Sequence, residues 1–111
     1  MREKYTKHVH AYGTRVSFVR DHDHLMLGVS GTPRPLSGND HDHMISGRTT
    51  FDAGHFHTYS VSTGPSVRIW HTQHIHYYEG ETDVALEHKH SFADNTERAP
   101  YDTSPYDTSY D

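Results

Sequence analysis

A chain of 111 residues with only 32% hydrophobic content makes one domain at most, with a thin core. The absence of cysteine excludes disulfides and thiolate metal sites, which leaves a metal ion or subunit association to staple so small a core. The net charge of −5 argues against nucleic acid as a partner, and no apolar run approaches the roughly 18 residues that span a membrane.

The chain opens on Met1-Arg2-Glu3-Lys4-Tyr5, which no apolar segment follows, so no secretory signal is expected. Histidines then come in pairs with one residue between them: His8/His10, His22/His24, His41/His43, His55/His57, His74/His76 and His88/His90. These six pairs take up all 13 histidines except His71, where chance placement would give about one or two pairs. A shorter and a longer step alternate between the first members, so the pattern that starts at His8 starts again at His41 and at His74. Recurrence at such a period predicts one supersecondary unit used three times. The expected units are 8–40, 41–73 and 74–99, in a single domain over residues 1–99. Tyr5-Thr6-Lys7 aligns with His71-Thr72-Gln73, so the chain enters midway through a unit.

Within the units, the retained positions are the odd ones. Tyr12, Ile45 and Tyr78 share one position; Val16, Thr49 and Thr82 another; Phe18, Phe51 and Val84 a third; Met26, Tyr59 and Phe92 a fourth. The even positions drift through Val9, Asp42 and Ile75, or Asp23, Phe56 and Lys89. A period of two is that of an extended strand, so the odd face is predicted to be buried and to carry the histidines among the aromatics. Runs such as Val16-Ser17-Phe18-Val19 and Tyr59-Ser60-Val61-Ser62 favour strands, and Gly31, Pro33, Pro35, Asp52-Ala53-Gly54 and Gly64-Pro65 favour turns. The fold class is all-β: a short β-solenoid of three coils, or a pseudo-threefold barrel or prism. Residues 100–111 form a Tyr-Asp-Thr-Ser tail, read either as a polar tail or as an arm docking on another subunit.

Two histidines at i and i+2 on a strand point the same way, about 6.6–7 Å apart at Cα, and their rings can converge on one ion. His8, His10, His22, His24, His41, His43, His55, His57, His74, His76, His88 and His90 are therefore the candidate metal ligands. The two pairs of a single unit suggest quartets such as His8/His10 with His22/His24, and stacked units would instead give ladders such as His8/His41/His74. All-nitrogen sites suit Zn, Cu(II) or Ni, whereas Mg or Ca would need oxygen ligands. Asp23 and Asp42 fall on the opposite face and are expected to be surface charges, with Asp21 and Asp40 in turns.

Two other readings compete. The histidines could form hydrogen-bonded ladders without metal and respond to pH, since protonating them would reverse the sign of the net charge. A metal-dependent enzyme is the weaker alternative, because no single privileged site, nucleophile elbow or phosphate loop stands out. The expected function is that of a non-catalytic, metal-binding structural protein that self-associates as a homo-oligomer or fibre.

His8-Val9-His10, Asp40-His41-Asp42-His43, the run from Arg48 to His57, Ser62-Thr63-Gly64-Pro65 and the run from His74 to Thr82 resemble the YmaF family of small bacterial histidine-rich proteins. The likeness covers about residues 8–92. Unit one departs from it, with Gly13-Thr14 where the later units have Gly47-Arg48-Thr49 and Gly80-Glu81-Thr82. The resemblance implies a bacterial origin, often in spore-formers, and carries no particular activity. The expected location is the cytoplasm by default, or the cell or spore surface if the chain assembles.

Overall fold

Alternating short runs fold as short strands in residues 8–70 and 72–100, the part of the chain that the computed structural model describes. The strands are β1 (Ala11–Arg15), β2 (Leu25–Val29), β3 (Arg34–Leu36), β4 (Asp40–Asp42), β5 (Met44–Arg48), β6 (Thr58–Ser62), β7 (Ser66–Arg68), β8 (Gln73–Glu81), β9 (Ser91–Asn95) and β10 (Ala99–Pro100). The described residues are all-β, contain no helix able to cross a membrane, and make small antiparallel sheets of which none closes. The proposed arm falls, beyond Pro100, outside the described residues, as do residues 1–7 and 71.

Three hairpins carry the fold: β1–β2, β5–β6 and the far half of β8 with β9. Their registers correspond unit by unit, with Ala11 opposite Val29, Met44 opposite Ser62 and Tyr77 opposite Asn95. Beyond these strands each hairpin narrows to a two-residue turn, closed by pairs Val19–His22, Asp52–His55 and Ala85–His88. Both central residues of every turn have positive φ: Arg20 and Asp21, Ala53 and Gly54, Leu86 and Glu87. This is the mirror-image turn that matches strand twist, usually made by Asn-Gly. A left-handed non-glycine residue costs roughly 1–2 kcal/mol, so these turns are held in place by what surrounds them.

Single main-chain bonds join the hairpins in a cycle. Ser17 N donates to Ser91 O, Thr50 N to Leu25 O and Asp83 N to Thr58 O. At the other end, Gly31 N donates to Met44 O, Gly64 N to Tyr77 O and Glu97 N to Ala11 O. Each hairpin thus touches both others.

Their inner faces enclose Tyr12, Val16, Met26, Ile45, Tyr59, Tyr78 and Phe92, with Val61 packed alongside. The Tyr12 and Tyr59 hydroxyls hydrogen-bond at 2.8 Å. Here the period-two expectation holds. It fails at Phe18, Phe51 and Val84, which are 70%, 69% and 68% exposed. Regular pairing ends before these residues, and the chain twists into the tip turn, so the register that buries Val16, Thr49 and Thr82 does not extend to them.

Candidate metal centres

The hairpin ladder decides which histidines meet. His10 immediately precedes β1 and lies level with Ser30 at the end of β2, whereas His24 lies level with Val16 at the other end. The two pairs of one unit therefore stand at opposite ends of the core, about six strand residues or roughly 20 Å apart. The within-unit quartets expected from sequence do not form. The ladder grouping does: His8, His10, His41, His43, His74 and His76 gather at one end, and His22, His24, His55, His57 and His90 at the other. His88 joins the second group, its Nε2 3.2 Å from those of His22, His55 and His57. All twelve candidate histidines thus gather, in two groups of six.

In the first group, Nε2 atoms lie 3.1 Å apart for His8–His41, His41–His74 and His10–His74, and 3.2 Å apart for His41–His76. The rings meet edge to face rather than stacking. His8 stands against His10, His41, His43 and His74, with His76 across the centre. By the same pattern His41 faces His10 and His74 faces His43 across that point. This is the arrangement of an octahedron's vertices. The second group repeats it, with His55–His57 at 3.1 Å and His22 opposite His57, His24 opposite His88 and His55 opposite His90.

The other ring nitrogen fixes the chemistry. In the second group every Nδ1 meets a main-chain carbonyl: His22 with Arg20 at 3.0 Å, His55 with Ala53 and His88 with Leu86 at 3.1 Å, His24 with Thr50 at 3.0 Å, His57 with Asp83 at 2.9 Å and His90 with Ser17 at 2.8 Å. In the first group His10, His43 and His76 meet the carbonyls of Glu97, Gly31 and Gly64 at 2.9, 2.8 and 3.0 Å. A carbonyl only accepts, so Nδ1 carries the hydrogen, and in a neutral ring Nε2 is then a bare lone pair. In the second group these lone pairs converge at hydrogen-bond distance with no hydrogen to share. Nε2 of His24, His43 and His90 is buried with no partner among the described residues.

Charging the rings does not relieve this. Burial pushes the His10 and His43 imidazoles down to about 4, His76 to about 3 and His74 to about 2, and neighbouring imidazoles push the same way. Burial likewise lowers His24, His57 and His90, against the pull of their carbonyl partners. What does fit six converging lone pairs is a cation. Adjacent ligands of an octahedral ion stand √2 times its bond length apart, so separations of 3.1–3.2 Å correspond to metal–nitrogen bonds of about 2.2 Å, near the usual range for imidazole. Both groups could hold a metal ion.

A further layer of hydroxyls, which sequence reasoning only partly found, holds the rings. His10, His43 and His76 N donate to the hydroxyls of Ser30, Thr63 and Thr96 at 3.0–3.1 Å. His57 and His90 N donate likewise to Thr49 and Thr82 at 3.0 Å. Several of these hydroxyls donate onward to the carbonyl that anchors a neighbouring ring, as Ser30 does to Gly31 O and Thr63 to Gly64 O. Thr49 and Thr82 stood out as retained positions; the carbonyl anchors have no side-chain signature to read. Asp42, expected to be a surface charge, is instead buried and lies outside both histidine groups, where Arg34 grips it at 2.8 and 3.0 Å. Asp40 accepts from His41 N at 2.8 Å and Ser66 Oγ at 2.6 Å, tying β4 to β7.

The centres are unequally covered. The first group is buried throughout, whereas His22 and His88 of the second are half-buried beside the tip turns.

No curated protein and no solved structure matches the chain. Residues 5–97 match the model of the YmaF family, described as spore germination protein GerY/YamF, and the chain belongs to that family.

Proposed function

We propose that this is a non-catalytic, metal-binding structural protein in which three repeated units surround one axis and clamp a divalent transition-metal ion at each end of a small apolar core. The observation that carries the reading is the second histidine group, where all six rings donate Nδ1–H to carbonyls and turn bare Nε2 atoms inward. The cyclic bonding of hairpin one to three, two to one and three to two favours the pseudo-threefold arrangement over a solenoid, whose end coils would not meet. With six imidazoles around each ion no coordination position remains for a substrate, which supports a structural over a catalytic role. Metal binding would supply folding free energy that the thin core lacks.

Purification without a nickel column, metal analysis by mass spectrometry and melting with and without chelator test the reading. Bound transition metal and a melt lowered by chelator are expected; metal-free protein with an unchanged melt would refute it. Histidine ladders sensing pH are disfavoured at the second centre, because its six anchored tautomers leave no hydrogen for Nε2–Nε2 bonds. Self-association, as an oligomer or fibre, extends the proposal: Phe18, Phe51, Val84 and Leu86 are exposed in the segments that form the tip turns. A monomer by size exclusion and electron microscopy, with and without metal, would remove that extension.

A further inference from the structure

We infer that both centres select six-coordinate ions of the iron–cobalt–nickel group in the divalent state, and discriminate against zinc and copper(II). This rests on the metal-binding reading and specifies its ion. Two independent features lead to it.

The first is the placement of the nitrogens. A tetrahedral ion with zinc–imidazole bonds of about 2.0–2.1 Å needs four nitrogens mutually about 3.3–3.4 Å apart and none opposite another. Here the separations are 3.1–3.2 Å, and rings stand in opposed pairs such as His8 with His76 and His41 with His10. Copper(II) prefers a tetragonal field with long axial bonds, whereas the separations among His22, His55, His57 and His88, which stand on all three axes of the second group, are 3.1–3.2 Å. Calcium, magnesium and manganese favour oxygen donors, and no carboxylate is among the ligands.

The second is restraint. A flexible site could drop two imidazoles and close around zinc. All six rings of the second centre, and His10, His43 and His76 of the first, are pinned from behind by main-chain carbonyls. Releasing two rings would leave their Nε2 atoms buried beside a cation. Six neutral donors of borderline softness in a fixed octahedral field then favour ions that gain ligand-field stabilisation there. Zinc, with a filled d shell, gains none.

The test uses cobalt(II) as its own reporter. Metal-free full-length protein is titrated with cobalt(II) under anaerobic conditions and its visible spectrum recorded, then equimolar zinc is added. Weak, pink d–d absorption that reaches a plateau, with equimolar zinc displacing well under half of the cobalt, is the expected result. Intense blue absorption would mean four-coordinate sites, and displacement of half or more of the cobalt by equimolar zinc would mean no preference over zinc; either would overturn the selection while leaving metal binding intact. No cobalt or zinc retained after gel filtration would instead overturn the metal-binding reading and this inference with it. His43→Gln tests the placement a second way: loss of half of the plateau absorption with the band shape kept supports two separate octahedral centres, and an unchanged plateau opposes it.

Discussion

Replacing Thr63 by valine separates the part of the first centre that belongs to folding from the part that belongs to metal. Thr63 is buried, and its hydroxyl accepts from His43 N at 3.1 Å while donating to Gly64 O at 2.9 Å. That carbonyl is also the anchor for His76 Nδ1 at 3.0 Å. One hydroxyl therefore steadies two ligands on neighbouring units. Valine keeps the shape but strands a buried N–H, which should cost about 1–3 kcal/mol in metal-free protein. With the carbonyl less firmly held, the first centre should also lose roughly 10–100-fold in metal affinity, the usual effect of outer-layer changes, equivalent to about 1.4–2.7 kcal/mol. Urea unfolding of metal-free and loaded protein measures the first quantity, and competition with a chromophoric chelator the second. The second centre, at the far end of the core, is the internal control and should keep its affinity. Equal weakening of both centres, or of neither, would refute the account of how the rings are held.

Other consequences are simpler to read. The Tyr78 hydroxyl is buried with no partner among the described residues, so Tyr78→Phe should leave stability unchanged or raise it by about 1 kcal/mol, whereas Tyr12→Phe, which breaks the bond to Tyr59, should lower it by a similar amount; paired urea titrations decide. Because His22 and His88 are half-buried while the first group is enclosed, chelator should strip one equivalent of metal markedly faster than the other, in a two-phase release followed by absorbance. Acid should destabilise metal-free protein. His10 and His43 titrate at about 4 when folded, below the ordinary 6.5, so the unfolded chain binds the extra protons in between. Their contribution is complete above about pH 6.5 and is lost as pH falls toward 4, by up to about 1.4 kcal/mol per pH unit for each such histidine. A urea midpoint flat between pH 6.5 and 4.5 would contradict this.

Much of the fold was legible in the sequence, and the failures have physical causes. The period-two pattern placed Tyr12, Ile45, Tyr78, Met26, Tyr59 and Phe92 with the histidines on one buried face, where they are found. The recurrence of the pairs pointed to the ladders His8/His41/His74 as one of two groupings, and it could not exclude quartets drawn from the two pairs of a single unit. Choosing between them needed the position of the turn. Had the chain reversed midway between the pairs, His10 and His22 would have faced each other. It reverses at Arg20-Asp21, Ala53-Gly54 and Leu86-Glu87, directly before the second pair. Asp21 and Asp52-Ala53-Gly54 read as turn residues, but Leu86-Glu87 carries no turn signal, so the shared position of the reversal was not legible in all three units. Regular pairing stops short of these turns, which is why Phe18, Phe51 and Val84, placed inside by the period of two, are exposed. The carbonyl anchors belong to main chain at Ser17, Thr50 and Asp83, and every residue type carries the same carbonyl, so no side-chain pattern marks that role.

Metal stoichiometry tests the central claim most directly. Native mass spectrometry of full-length protein, titrated with nickel(II) from the metal-free state, should show occupancy stopping at two ions per chain. Saturation at three would restore the within-unit quartets, one to each unit, and a spectrum with no bound ion would contradict the metal centres altogether.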